Sequence, residues 1–222
     1  MKKIIIASLV SSVLLNAQAL HGINTNGGAM TLPAGKLKLG VKHIYLQKNH
    51  MYKDSEEIKN DRDLKANVNM TMLVLRYGVS KNFDLKVALP YKQIDSSANF
   101  GKNKVAIDNK GIGDMLLMAR YVVLPLSTYG YQVAVGAGIK LPTGSTKHTF
   151  KKSPPFALGV RTPLPSQLGT GEYEYKAELG ITKIINKNMR VDFNTIYTYR
   201  PKAKYNYDFG NELSMIYLLH HL

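Results

Sequence analysis

The chain has 222 residues, no cysteine, no tryptophan, fourteen tyrosines and a formal charge of +15. Without cysteine there is neither a disulfide framework nor a thiolate metal site. A chain of this length forms a single domain as a rule, and so large a basic surplus attracts polyanions.

Residues 1–19 read as a signal peptide. Lys2 and Lys3 supply the positive start, residues 4–15 the short apolar core, and Ala17-Gln18-Ala19 the small-residue cleavage site. The mature domain is then residues 20–222, and loss of the two lysines lowers its charge from +15 to +13. No later stretch reaches the ~18 consecutive apolar residues of a spanning helix. An exported chain of this kind is soluble or crosses a membrane as a barrel. Lipopolysaccharide phosphates and anionic solutes, not nucleic acid, are its expected polyanions.

Eight strands follow from period-2 alternation. The first, over 36–46, sets Leu37, Leu39, Val41 and Tyr45 against Lys36, Lys38 and Lys42. Residues 47–63 read as an exposed loop. The second strand, 64–77, sets Ala66, Val68, Met70, Met72 and Val74 outward, against Lys65, Asn67, Asn69 and Thr71. A tight turn at 78–82 leads to the clearest strand. There Phe83, Leu85, Val87, Leu89 and Tyr91 oppose Asp84, Lys86, Ala88, Pro90 and Lys92. Residues 93–110 read as a polar loop.

The fourth strand, 111–123, has Met115, Leu117, Ala119 and Tyr121 opposite Asp114 and Arg120. The fifth, 131–141, places Ala134, Gly136 and Gly138 inward, small enough to relieve crowding inside a barrel. After a long connection, 142–171, come Tyr173, Tyr175, Ala177, Leu179 and Ile181 against Glu174, Lys176 and Glu178. The seventh strand opposes Met189, Val191, Phe193, Tyr197 and Tyr199 to Arg190, Asp192 and Asn194, and a weak eighth covers 211–219.

Connections alternate long and short, and aromatics sit at strand ends. This is the pattern of an antiparallel transmembrane β-barrel with short periplasmic turns and long external loops. A soluble antiparallel barrel or sandwich also explains alternation, but it buries its apolar face and needs no terminal aromatics.

Four pieces carry a resemblance: Tyr77-Gly78-Val79-Ser80-Lys81-Asn82-Phe83-Asp84-Leu85, Leu89-Pro90-Tyr91, Gly111-Ile112-Gly113-Asp114 and Lys140-Leu141-Pro142-Thr143-Gly144. Over residues 32–182 the chain resembles the outer-membrane transporter family "MetA-pathway of phenol degradation". The resemblance implies a barrel in the outer membrane of a Gram-negative bacterium that passes small, often aromatic, compounds. The chain departs from the pattern at His220-His221-Leu222, where outer-membrane barrels usually carry a terminal aromatic. Family members are also usually longer, so a truncated larger barrel or a short variant is expected. Eight strands close only around an interior filled by side chains.

The expected lumen-lining residues are Lys38, Lys65, Asp84, Lys86, Asp114, Arg120, Lys140, Glu174, Lys176, Arg190 and Asp192. Their charges nearly balance, as in a salt-bridged interior or a mixed-charge pore wall. In the long connection, Phe156 and Leu158 would form a gate for an apolar solute, or simply pack on the surface. Lys147, Lys151, Lys152 and Arg161 would bind lipopolysaccharide phosphates, or be a solvated basic loop. Ser145 with His148 is the nearest approach to a nucleophile and base, and no cofactor, metal or phosphate-binding motif is seen. The expected function is a passive outer-membrane pore for small apolar or aromatic compounds, not an enzyme. Its partners would be membrane lipid, lipopolysaccharide, the solute and the barrel assembly machinery. A non-conducting structural or adhesive barrel is the alternative.

Overall fold

The computed structural model describes residues 28–48, 51–53, 56–126, 130–151 and 157–221. Residues 1–19, read above as a signal peptide, lie outside them. Among the described residues there are eleven strands: β1 (Leu37–Lys48), β2 (Met51–Lys53), β3 (Glu56–Ile58), β4 (Lys65–Ser80), β5 (Phe83–Phe100), β6 (Asn103–Ile112), β7 (Met115–Leu124), β8 (Tyr131–Leu141), β9 (Glu174–Asn186), β10 (Met189–Tyr199) and β11 (Glu212–His221). All but β2 and β3 belong to one antiparallel sheet in the order β1-β4-β5-β7-β8-β9-β10-β11, with β6 also paired to β5. The sheet curls into a half-barrel.

Chain order and sheet order nearly coincide because short hairpins join the neighbours. Lys81-Asn82 turns β4 into β5, and Lys187-Asn188 turns β9 into β10. β6 and β7 form one interrupted return strand. β6 pairs with residues 91–100 of β5 and β7 with residues 83–88. At the break, the Gly113 N–H donates to the Pro90 carbonyl at 2.8 Å.

Outward residues are apolar. Leu39 is 63% exposed, Val41 71% and Tyr217 72%, with Leu85, Tyr121, Val135, Leu179 and Leu213 also exposed on this convex face. The concave face is buried. Met70, Met72, Val74, Ala88, Leu116, Met118 and Ile196 form one cluster, with Ile44 and Leu46 packed against it. Ile196 of β10 and Met70 of β4 lie far apart in the sheet order, so the curl brings its own inner walls together. Among the described residues, β1 pairs only with β4 and β11 only with β10.

Three features differ from the sequence reading. Residues 93–110 are not a loop: β5 runs to Phe100, turns at Gly101 with a positive φ of 63°, and returns as β6. The hairpin lost its apolar outward row above Tyr91, and with it the alternation that marks a strand. Within 47–63, β2 and β3 form a separate small hairpin.

The faces of β4 are reversed. Ala66, Val68, Met70, Met72, Val74 and Arg76 point inward and buried, whereas Leu73, Leu75 and Tyr77 are exposed. Lys65 therefore does not face the interior; it is exposed and pairs with Asp63 at 3.1 Å. The apolar run from Met72 to Leu75 has no alternation of its own, so phase read from the polar upper half of the strand carries over wrongly.

Candidate functional site: the charged concave face

Alternation in β4, β5, β7, β8, β9 and β10 aims a set of charged side chains into the curl, and they meet there in two layers. The layer nearer the short turns holds Arg76, Asp84, Lys86, Arg120 and Glu178, all buried. Arg76 Nε donates to Asp84 Oδ2 at 2.9 Å, and its Nη2 binds the same oxygen. Arg120 Nη2 pairs with Glu178 Oε1, which also accepts from Asn194 Nδ2 at 2.7 Å. Strand register explains the second pair. Arg120 is paired with Gly136, and Gly136 in turn with Glu178. A Cβ at Gly136 would sit 2.8 Å from Glu178 Oε2 and 3.0 Å from the Ala119 carbonyl. The missing side chain leaves the room through which Arg120 reaches across β8.

The second layer lies toward the long loop. Lys140 Nζ is 3.2 Å from Asp114 Oδ2 and also pairs with Glu174. Glu174 is shared with Arg200, whose Nε lies 3.3 Å away and whose Nη2 pairs with Glu212. Lys176 Nζ donates to Thr198 Oγ1 at 2.8 Å. At the short-turn end, Arg190 lies 3.1 Å from Asp192, which also accepts from Thr182 Oγ1 at 2.6 Å and faces His220 Nε2 at 3.0 Å. Buried pairs of this kind bring little net stability, but breaking one by removing a single partner is expensive.

Both ends of the curl are occupied. At the short-turn end, residues 28–33 cross the interior. Ala29 N donates to Thr182 Oγ1 at 2.9 Å and Leu32 N to Asp84 Oδ2 at 3.1 Å. The Met30 carbonyl accepts from Arg76 Nη2 at 2.5 Å and Arg120 Nη1 at 3.3 Å. The segment lies so close to β9 that a Cβ at Gly180 would collide with the Gly28 backbone. At the other end, the returning limb of the 142–171 connection turns inward. Leu164, Gln167 and Leu168 are buried, and Leu168 clusters with Val68 and Ile94. Lys92 Nζ donates to the Leu168 carbonyl at 3.1 Å. Asn109 Nδ2 holds the limb through Thr162 Oγ1 at 3.0 Å and the Ser166 carbonyl at 2.7 Å.

Asp114 is the joint of this end. Its Oδ1 accepts from Gly144 N at 2.9 Å and its Oδ2 from Thr170 N at 2.9 Å. Thr143 Oγ1 accepts from Met115 N and donates to the Gly113 carbonyl, each at 2.9 Å. The sequence motifs at 111–114 and 140–144 are thus two halves of one knot. The motif at 77–85 is the other joint: Gly78 lies against the Pro33 carbonyl, where no side chain fits, and Asp84 ties Arg76 to Leu32.

Of the residues singled out from sequence, Asp84, Lys86, Asp114, Arg120, Lys140, Glu174, Lys176 and Asp192 are buried on the concave face, with Arg190 and Lys38 half-buried there. Lys65 is on the other face. Leu158 is exposed, and Phe156 lies outside the described residues, as does Lys152. Lys147 and Lys151 are exposed, and the Arg161 guanidinium lies 3.1 Å over the Tyr205 ring. His148 has its pKa lowered by burial and by Lys151. Arg76 and Arg200 were missed. Arg76 was legible by counting back from the exposed Tyr77, and Arg200 by continuing the inward row Asn194, Ile196, Thr198.

An antiparallel sheet with an apolar convex face and a charged, filled concave face is the wall of an outer-membrane-type β-barrel. The chain belongs to the family described as "Putative MetA-pathway of phenol degradation", whose model matches residues 53–221. That match extends past the range of the sequence resemblance to include β10 and β11. Among solved structures, the chain is similar to an outer membrane channel from Pseudomonas putida F1, with a TM-score of 0.53 and 20% identity over 79% of this chain. This is a likeness of fold, and the chain spans only 59% of that protein's length. No curated protein matches the sequence.

Proposed function

We propose that the chain forms the wall of a passive outer-membrane channel for small, apolar or aromatic compounds, exported by its first nineteen residues. The observation that carries this reading is the segregation of the two faces. Leu39, Val41, Leu85, Leu179 and Tyr217 lie on the convex side, and no ion pair of the two charged layers reaches it. In water such a face would be a large exposed apolar patch. In lipid it is the required surface, and the free edges of β1 and β11 must then be paired, because an open edge in hydrocarbon leaves costly unsatisfied backbone groups. The solute class rests on the family description.

Passage requires movement. Residues 28–33 occupy one end and residues 162–170 the other, and the pocket lined by Arg76, Lys86, Arg120 and Glu178 between them is about 10 Å³. The inner limb around Leu168 is therefore the gate, with the exposed Leu158 on the same connection. Lys147, Lys151, Lys152 and Arg161 lie on that connection and are assigned to lipopolysaccharide phosphates. Planar-bilayer recording is the test: deletion of residues 153–163 raises conductance if the connection gates a passage. A wild-type protein and deletion variant that both pass no current would favour the second reading, a non-conducting structural barrel, to which the filled interior also points.

A further inference from the structure

We infer that the charged layer nearer the short turns holds a binding site for one small monovalent anion of halide size, with Lys86 as its principal ligand. A partly open space of about 10 Å³ is lined by Arg76, Asp84, Lys86, Arg120 and Glu178, together with Met118 and Ala119. That is room for one water-sized occupant, which matches a small monovalent anion.

The charges around it do not cancel. Three cations face two carboxylates. Both carboxylates are already engaged: Asp84 by Arg76 and the Leu32 N–H, Glu178 by Arg120 and Asn194. Lys86 is only 9% exposed, yet among the described residues its ammonium is within ion-pair distance of no carboxylate and makes no hydrogen bond. Its side chain leaves the strand between Arg76 and Met118, its register partners on either side, and lines the cavity.

A buried ammonium without a counter-charge is strongly unfavourable. A water would satisfy a donor but leave the surplus positive charge. A halide satisfies both, and the flanking guanidiniums add to the local potential. On the short-turn side the Met30 carbonyl accepts from both Arg76 and Arg120, which holds the two guanidiniums in place beside the site. This site does not depend on the protein conducting.

The test is chloride-35 NMR line broadening on the full chain refolded in detergent, with bromide as competitor and heat-modifiable gel migration as the check of folding. The wild type is expected to give a saturable excess linewidth that bromide removes. Lys86→Met should abolish it, Lys86→Arg should keep it, and Lys147→Ala should leave it unchanged. Absence of saturable broadening in the wild type overturns the inference without reference to any variant. So does broadening that survives in folded Lys86→Met, which would trace it to the basic surface.

Discussion

Replacing Val87 with arginine separates a lipid-facing sheet from a soluble one. Val87 points to the convex side midway between Phe83 and Tyr91 on β5. Eight residue steps at roughly 3.4 Å span about 27 Å along the strand. A tilt of about 40° projects this to about 21 Å, close to the ~25 Å apolar band of outer-membrane barrels. Val87 therefore sits near the midplane, where an arginine costs about 2–4 kcal/mol. Gln93 points the same way but lies beyond Tyr91, where the cost falls to about 0–1 kcal/mol. Denaturant titration of the two variants in lipid vesicles, followed by circular dichroism, measures the difference. Val87→Arg should lose at least about 2 kcal/mol more than Gln93→Arg. Equal losses within about 0.5 kcal/mol, the usual range for a water-exposed surface change, would refute the assignment of faces.

Three further outcomes follow from the interior. Glu178→Ala leaves Arg120 buried beside an empty position and should cost about 3–5 kcal/mol, whereas the double change with Arg120→Leu should recover part of that loss in a double-mutant cycle. Gly136→Ala should cost about 1–3 kcal/mol by overpacking against Glu178, while Ala137→Gly on the opposite face should not reproduce it; denaturant midpoints decide. Asp114→Ala removes the acceptor of Gly144 and Thr170, and limited proteolysis should then cut the 142–171 connection faster with the rest of the sheet intact.

The strands whose two faces differ along their whole length were legible in the sequence. β8 and β10 match the predicted 131–141 and 189–199, and the inward rows Asp84, Lys86 and Glu174, Lys176, Glu178 lie where alternation puts them. Legibility failed where strands leave the band that gives one face its apolar character. β5 and β6 continue upward with polar residues on both faces, and β4 passes through an all-apolar stretch that fixes no phase. The motifs at 77–85, 111–114 and 140–144 were legible as strings, but not as joints. That Asp114 would meet Gly144 and Thr170 depends on the return path of a thirty-residue connection. The segment at 28–33 left no signal either, because its role rests on backbone groups meeting Asp84, Arg76 and Thr182, which no periodicity encodes.

The convex face should meet lipid and the concave face should not. The chain contains no tryptophan, so single reporters can be placed at will. Val41 and Lys42 are adjacent on β1, the first 71% exposed on the convex side and the second half-buried on the concave side. In vesicles of brominated lipid, Val41→Trp fluorescence should be strongly quenched and Lys42→Trp largely spared. Equal quenching of the two, or quenching of neither, would contradict it.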